Sequence, residues 1–236
     1  MVASNDDARL PPTLIPTHYD LTYDRIDLVN HTFEGRVSIE GSAATSVSSI
    51  TLHALDVQVF NATLKSQGDD KMFKAEEFKY RKQNQTLEMI WSEKEVLKEG
   101  SSFVLVLDFK GILNDQMRGL YRSTFVGMDG KQHTMATTQF EPTDARRAFP
   151  CFDEPALKAS FCLTVTIPVE LACISNTPIA SMHTNFEGTT VPTKTITFQK
   201  TPKMSSYLLA LVLGPQMDGI SSTSRQIVTT IYTVPG

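Results

Sequence analysis

The chain has 236 residues, of which 41% are hydrophobic and 20% are charged; this globular composition excludes a disordered, collagen-like or coiled-coil chain. Its formal net charge is −4, from 22 basic and 26 acidic residues, so nucleic acid is not an expected partner. No run of 18 apolar residues occurs and the acidic, proline-containing start does not resemble a signal peptide, so no membrane association is expected.

Most of the chain alternates apolar and polar residues with a period of two, which is typical of half-buried strands. In the first half this pattern predicts strands at 18–28, 33–39, 57–64, 87–91 and 102–111. The first of them loses its phase near Arg25, which predicts a bulge or a bend. Turn residues at Gln67-Gly-Asp-Asp and Lys98-Glu-Gly separate the later ones.

A β-hairpin is predicted where two alternating segments, 120–126 and 132–138, flank the sequence Met128-Asp-Gly-Lys. Asp-Gly tolerates the positive φ angles of a type I′ turn, so that turn type is expected here.

The second half continues the strand pattern at 160–169, 171–175, 193–199 and 226–234. The segment 205–213 is nearly all apolar, which predicts a strand buried on both faces. No segment carries a helical stripe of twelve residues. The expected fold is therefore all-β, a saddle-shaped β-sandwich of several sheets, with one domain over residues 13–236 after an N-terminal tail of residues 1–12.

The cysteines indicate the expected compartment. An odd number of cysteines without a CxxC pair favours free, mostly buried thiols in a reducing environment over a disulfide framework. N-glycosylation sequons are present, but they would be used only after secretion. A cytoplasmic protein is expected. The cysteines are Cys151, Cys162 and Cys173, and the sequons begin at Asn30, Asn61 and Asn84.

The sequence lacks a complete catalytic apparatus. Its five histidines do not pair with another histidine or a cysteine at metal-ligand spacing, and no His-Glu-x-x-His helix occurs. It also has no Gly-x-Ser-x-Gly elbow and no phosphate-binding glycine loop. We therefore expect neither catalytic residues nor metal ligands within this chain.

One dense polar stretch, residues 134–158, breaks the alternation. It contains four carboxylates, two adjacent arginines and several prolines, so it predicts a rigid loop held by arginine–carboxylate pairs, Arg147 and Asp153 among them. Two interpretations stay open on these residues alone. The loop could present a carboxylate to a ligand ammonium, or it could only pin two sheets together. The carboxylates are Glu141, Asp144, Asp153 and Glu154.

Within this stretch, the segment Thr138-Gln-Phe-Glu-Pro-Thr-Asp-Ala-Arg-Arg-Ala-Phe-Pro-Cys-Phe-Asp-Glu-Pro closely resembles the N-terminal domain of zinc aminopeptidases of the aminopeptidase N family. Within that family it resembles the cytosolic puromycin-sensitive branch. Supporting matches run from about residue 10 to residue 236. They include Ile15-Pro-Thr-His-Tyr-Asp-Leu, Gly111-Ile-Leu-Asn-Asp-Gln-Met-Arg-Gly-Leu-Tyr-Arg and Thr201-Pro-Lys-Met-Ser-Ser-Tyr-Leu-Leu-Ala.

The resemblance implies a saddle-shaped β domain packed on a thermolysin-like catalytic domain, in an enzyme that removes single residues from peptide N-termini. It implies that Glu141 binds the free α-amine of a peptide substrate and that Gln139 lines the first specificity pocket. It also implies zinc in the full-length enzyme. The family's Gly-Ala-Met-Glu-Asn motif and its zinc site lie downstream of the matched segment, so none of their residues is expected here.

Three hypotheses follow for the function. The chain is the substrate-anchoring domain of a zinc aminopeptidase, inactive alone; or a catalytically inactive β domain that binds peptides or a partner protein; or a structural domain whose loop serves only an interface. The sequence stops at Gly236, just after the strand that would lead toward the zinc site, and this favours a truncated form of a longer enzyme.

Overall fold

The computed structural model describes residues 9–66, 72–92, 96–185, 191–215, 217–224 and 227–234. Within these residues the chain forms strands and two short 3₁₀ helices. The strands are β1 (Leu14–Asp27), β2 (Thr32–Ala43), β3 (Ser49–His53), β4 (Val57–Ser66), β5 (Met72–Lys74), β6 (Glu77–Arg81), β7 (Thr86–Ile90), β8 (Ser102–Ile112), β9 (Gly119–Val126), β10 (Gln132–Gln139), β11 (Ser160–Pro168), β12 (Ala172–Ser175), β13 (Ile179–Asn185), β14 (Thr193–Phe198), β15 (Leu211–Gly214), β16 (Asp218–Ser224) and β17 (Ile227–Thr233); the 3₁₀ helices are Ala145–Arg147 and Ser206–Leu208.

The largest sheet has eight strands in the order β13-β14-β11-β1-β2-β8-β4-β5. Strand β1 lies inside it, antiparallel to β2 and parallel to β11. Its alternating side chains Tyr19, Leu21 and Tyr23 are buried in the core, as the period of two predicts. The β1–β2 register shifts between Tyr23 and Arg25, which confirms the predicted irregularity near Arg25.

Over the described ranges, three smaller sheets accompany it: β12-β15-β10-β9, β3-β7-β6 and the two-stranded β16-β17. The all-β, multi-sheet fold is thus confirmed. Several strands were not predicted from the sequence, because strands that are short or exposed on both faces show no alternation of apolar and polar residues. Strands β13 and β16, for example, have exposed side chains throughout. The described residues contain no helix long and apolar enough to cross a membrane.

The predicted continuous strand at 205–213 is wrong. Residues Ser206–Leu208 form a 3₁₀ helix, and the strand β15 begins only at Leu211. The hydroxyl of Ser206 donates to Oδ1 of Asp153 at 2.6 Å, and the hydroxyl of Ser205 donates to the carbonyl of Pro155 at 2.7 Å. These side-chain bonds hold the start of the segment in a turn, so its apolar residues do not form a single ladder.

The β9–β10 hairpin is confirmed, but its turn is not type I′. Gly130 donates to the carbonyl of Gly127 at 2.9 Å, and Gly127 donates to that of Lys131 at 2.9 Å. Between residues 127 and 131 only Gly130 has a positive φ, of 70°. A type I turn followed by a left-handed glycine has this pattern, whereas type I′ needs two positive φ angles.

The remaining predictions concern the N-terminal end, one turn and the cysteines. Residues 1–8 and the turn signal at Gln67-Gly-Asp-Asp lie outside the described residues. Leu10 is buried and its backbone N–H donates to Oε1 of Glu154 at 2.6 Å, while the division of the chain at residue 12 stays a prediction. All three cysteines are free; Cys151 is buried, and burial raises the pKa of its thiol.

Candidate functional site

The two residues predicted to bind substrate lie together at the end of β10. Gln139 ends the strand, Glu141 follows the buried Phe140, and the alternation leaves both polar side chains exposed while the ring of Phe140 is 3% exposed. The amide of Gln139 donates from Nε2 to the backbone carbonyl of Glu141 at 3.3 Å. Phe140 packs edge-to-face on Phe149, with ring centroids 6.1 Å apart, and so anchors the strand end in the core.

A tight turn carries Glu141. The backbone N–H of Asp144 donates to the carbonyl of Phe140 at 2.8 Å, which closes the segment over Glu141, Pro142 and Thr143. The Glu141–Pro142 peptide bond is cis. Among the described residues the carboxylate of Glu141 has no hydrogen-bond or ion-pair partner, so it is available to a ligand.

A buried ion pair fixes the loop behind this turn. Arg146 donates from Nε to Oδ2 of Asp153 at 2.9 Å and from Nη2 to the carbonyl of Asp153 at 3.0 Å. Both side chains are almost fully buried, with 8% and 2% exposed. Gln85 accepts from Nη1 of Arg146 at 3.0 Å, and the backbone N–H of Asp153 donates to Nδ1 of His53 at 3.2 Å. The charge of each partner is thus compensated inside the protein.

A second ion-pair chain lies closer to Glu141. Asp144 is buried, and its Oδ1 accepts from Nε of Arg147 at 2.8 Å while its Oδ2 accepts from Nε of Arg118 at 3.0 Å. Arg147 reaches from the same guanidinium to the carboxylate of Asp56. Arg147 and Asp153 both join the loop to other parts of the fold through these contacts, whereas their predicted effect on stability stays a prediction.

Sequence reasoning missed several members of these networks. Arg146 was not distinguished from its neighbour Arg147, although it is the more buried of the two. Arg118, Gln85 and Ser206 lie far from the loop in sequence, and no local pattern connects them with it. For Arg118 the sequence offers one clue, the glycine that follows it. In the structure this residue, Gly119, has a positive φ of 68°.

The loop also contacts the largest sheet and β3. The phenol of Tyr19 accepts from the backbone N–H of Phe152 at 3.1 Å, and that of Tyr23 donates to the carbonyl of Ala148 at 3.2 Å. Burial raises the pKa of both phenols, which keeps them neutral and able to make these bonds. Since a backbone bridge joins His53 of β3 to Cys151, the loop is held from several sheets.

This arrangement suits binding rather than bond cleavage. An exposed carboxylate on a fixed loop can accept hydrogen bonds from an ammonium, and a neutral amide beside it can line a pocket. In the part of the chain that the structure describes, no three histidine, cysteine, aspartate or glutamate side chains group to hold a metal ion. These residues do not fit a zinc site, so no chemical step is assigned to a metal here.

Comparisons with known proteins show which family the chain resembles. The family model described as the peptidase M1 N-terminal domain matches residues 15–208. The chain is 38% identical to rice Aminopeptidase M1-C over 231 residues, which is 97% of this chain and 24% of that protein. It is 38% identical to Arabidopsis thaliana Aminopeptidase M1 over 87% of this chain and 22% of that protein. Human Endoplasmic reticulum aminopeptidase 1 is 34% identical over 96% of this chain and 24% of its own length. The chain thus spans about a quarter of the length of these relatives.

Proposed function

Because this chain belongs to the peptidase M1 N-terminal domain family, we propose that it is the substrate-anchoring domain of a zinc-dependent aminopeptidase that removes single residues from peptide N-termini. The observation that carries the proposal is the exposed carboxylate of Glu141, which has no hydrogen-bond or ion-pair partner among the described residues and lies on a loop fixed by buried ion pairs. The relatives, which are aminopeptidases of plants and of human, support the substrate class.

Glu141 binds the α-ammonium of the peptide in this proposal. An exopeptidase must distinguish a free N-terminus from an internal or acylated one. A fixed carboxylate makes that distinction, because it is left without a partner when the ammonium is absent. The rigid loop matters because a carboxylate already held in place loses little conformational freedom on binding.

Gln139 has a different role. Its amide is neutral and is exposed beside Glu141, so it contributes hydrogen bonds and shape to the pocket for the first side chain of the peptide rather than charge. Replacing it is therefore expected to change which N-terminal residue is preferred more than whether a peptide binds.

Zinc and the remaining catalytic groups belong to the part of the enzyme beyond this chain in this proposal. The described residues do not fit a metal site, and the relatives are about four times longer than the matched segment. The 236-residue chain alone is accordingly proposed to be inactive.

The downstream catalytic domain is the proposed partner. The β16–β17 hairpin precedes it in sequence and exposes two apolar side chains that face each other across the ladder, Ile220 (78% exposed) and Ile231 (66% exposed). An exposed apolar pair of this kind is typical of a surface that another domain covers.

The cytoplasm is the proposed compartment. All three cysteines are free, as is typical of proteins from reducing compartments. Fractionation of cells that express the native protein, with antibody detection, tests this assignment, and recovery of the protein in a secretory or mitochondrial fraction contradicts it.

Steady-state kinetics of the full-length enzyme tests the anchor proposal. We compare the wild type with Glu141→Gln, which keeps the size of the side chain and removes its charge. A lower kcat/KM at an unchanged melting temperature supports the anchor. Unchanged activity with a lower melting temperature would make Glu141 a structural part of the loop and favour the hypothesis that the loop only pins sheets together.

A further inference from the structure

Asp144 joins the two sides of the segment that carries Gln139 and Glu141. Its backbone N–H closes the turn by donating to the carbonyl of Phe140 at 2.8 Å. Its buried carboxylate is shared, one oxygen accepting from Arg118 and the other from Arg147. The residue that ends the Glu141 turn is therefore also the centre of an ion-pair chain.

Arg118 connects this chain to the strand that carries Gln139. It directly precedes Gly119, and Gly119 is opposite Gln139 in the β9–β10 register. The bond from Nε of Arg118 to Oδ2 of Asp144 thus ties the start of β9 to the far end of the Glu141 turn. Because Phe140 and Asp144 are both buried at 3% exposure, Glu141 projects from a segment anchored at both ends.

Gly119 makes this close approach possible. Its φ of 68° is a conformation that L side chains rarely adopt, and a Cβ built on it would lie 2.6 Å from Cβ of Arg147. A residue with a side chain would push Arg147 away and weaken its bond to Asp144. The backbone is therefore shaped to bring both arginines to one carboxylate.

From this geometry we infer that Asp144, together with Arg118, is a positioning residue that fixes the carboxylate of Glu141 for the peptide ammonium. The inference rests on the proposed anchor role of Glu141 and adds which groups hold that anchor in place. Asp144 acts through the turn, since its own carboxylate is buried and already shared by two guanidinium groups.

A double-mutant cycle in the full-length enzyme tests the inference. The variants are Asp144→Asn, Glu141→Gln and the double variant, and both kcat/KM and the melting temperature are measured for each. Asp144→Asn is expected to lower kcat/KM about tenfold, equivalent to about 1.4 kcal/mol, because a Glu141 that is no longer held in place keeps only part of its contact with the ammonium. In the Glu141→Gln background the same substitution is expected to change kcat/KM less than about twofold, because nothing is left to position.

Three further variants separate the positioning role from an effect on folding. Arg118→Ala removes the half-exposed partner and leaves the Asp144–Arg147 pair intact, so it is expected to show the same dependence on Glu141 with a smaller change in melting temperature. Arg118→Lys keeps the charge and is expected to recover part of the activity. Asp115→Asn, an exposed carboxylate paired with Arg122 on β9, is the matched control and is expected to behave as the wild type.

The outcomes separate the two proposals. If Glu141→Gln alone leaves kcat/KM unchanged, the anchor role and the positioning role both fail. If Glu141→Gln lowers kcat/KM but Asp144→Asn and Arg118→Ala have equal effects in both backgrounds, the anchor stands and the positioning role is overturned. A lower melting temperature without loss of kcat/KM for either variant overturns it as well.

Discussion

Ser206 donates a hydrogen bond to Asp153 across 53 residues of sequence, with Oγ and Oδ1 2.6 Å apart and both side chains buried. The other carboxylate oxygen of Asp153 accepts from Arg146. A single aspartate thus holds the polar loop to the segment before β15 and compensates the charge of a buried arginine.

The first prediction concerns the stability that this aspartate provides. Asp153→Asn leaves the guanidinium of Arg146 buried without a counterion, so the free energy of unfolding of the chain should fall by about 3–5 kcal/mol. Denaturant titration measures the change. Glu77→Gln, which breaks the exposed pair with Lys79, is the control and should cost less than about 1 kcal/mol. Equal losses for the two variants would show that the Arg146–Asp153 pair is not specially stabilising.

The second prediction concerns pH. Asp27 accepts hydrogen bonds from the backbone and side chain of Asn30, from the backbone of Val29 and from Arg25, and these bonds lower the pKa of its carboxyl below the ordinary value. A lowered pKa in the folded state contributes stability above the unfolded pKa of about 3.9, and this contribution is lost as the pH falls through the folded pKa. Between about pH 5 and pH 2 the wild type should therefore lose stability more steeply than Asp27→Asn.

The control for this pH experiment is Glu99→Gln, which removes an exposed carboxylate elsewhere on the surface. Its unfolding free energy should follow the wild-type pH profile. Parallel pH profiles for the wild type and Asp27→Asn would contradict a special role for the bonds at the end of β1.

The third prediction gives the size of the anchor effect. In the full-length enzyme, Glu141→Gln should lower kcat/KM for free-amine substrates by roughly 10- to 150-fold, because a charge-assisted contact is worth about 1.5–3 kcal/mol. The division between KM and kcat depends on whether the contact strengthens in the transition state.

Gln139→Ala should lower kcat/KM less than Glu141→Gln does, and it should change the preferred first residue in a panel of aminoacyl-arylamides. Equal losses for every substrate in the panel would argue against a pocket role for Gln139.

The fourth prediction concerns the isolated chain. Purified alone, it should hydrolyse no aminoacyl-arylamide and bind no stoichiometric zinc, since the described residues offer no group of metal ligands. Activity assays and metal analysis after rigorous removal of contaminating peptidases measure both. Hydrolysis that survives this purification and is abolished by a chelator would overturn the assignment of the chemistry to a downstream domain.

The fifth prediction concerns the exposed hairpin. The isolated chain should self-associate and bind an apolar dye, and the double variant Ile220→Thr, Ile231→Thr should reduce both effects, because it removes the apolar pair across β16 and β17. Light scattering over a concentration series provides the measurement. Val29→Thr, a lone exposed apolar residue in the β1–β2 turn, is the control. A strictly monomeric wild type would indicate that the hairpin is not a docking surface.

The sequence predicted the long strands well because their signal is local. In β1, β2 and β8 buried and more exposed residues alternate over most positions, so the period of two is readable without knowing the partner strand. The prediction of a strand at 205–213 was wrong because the structure there depends on a contact that is distant in sequence. Its apolar content was correctly noted, but Ser206 bonds to Asp153, a residue that no local pattern connects with it.

The site was predictable in composition and not in geometry. The density of charge and proline around Glu141 indicated a rigid loop, and the resemblance assigned roles to Gln139 and Glu141. Arg146, the more buried of the two adjacent arginines, bonds to Asp153 and to Gln85, and Gln85 lies 61 residues away in sequence. The sharing of Asp144 by Arg118 and Arg147 likewise follows from the β9–β10 register and the backbone of Gly119.

The parallel pairing of β1 with β11 determines when the domain can form during synthesis. His18 pairs with Ser160 and Tyr23 with Val165, so one edge of β1 stays open until the ribosome has released residues 160–168. A nascent chain that has reached only residue 150 carries β2 on one side of β1 and an unpaired, apolar-faced edge on the other. That edge leaves backbone hydrogen-bonding groups of β1 unpaired until β11 is available, because contacts this distant in sequence form late.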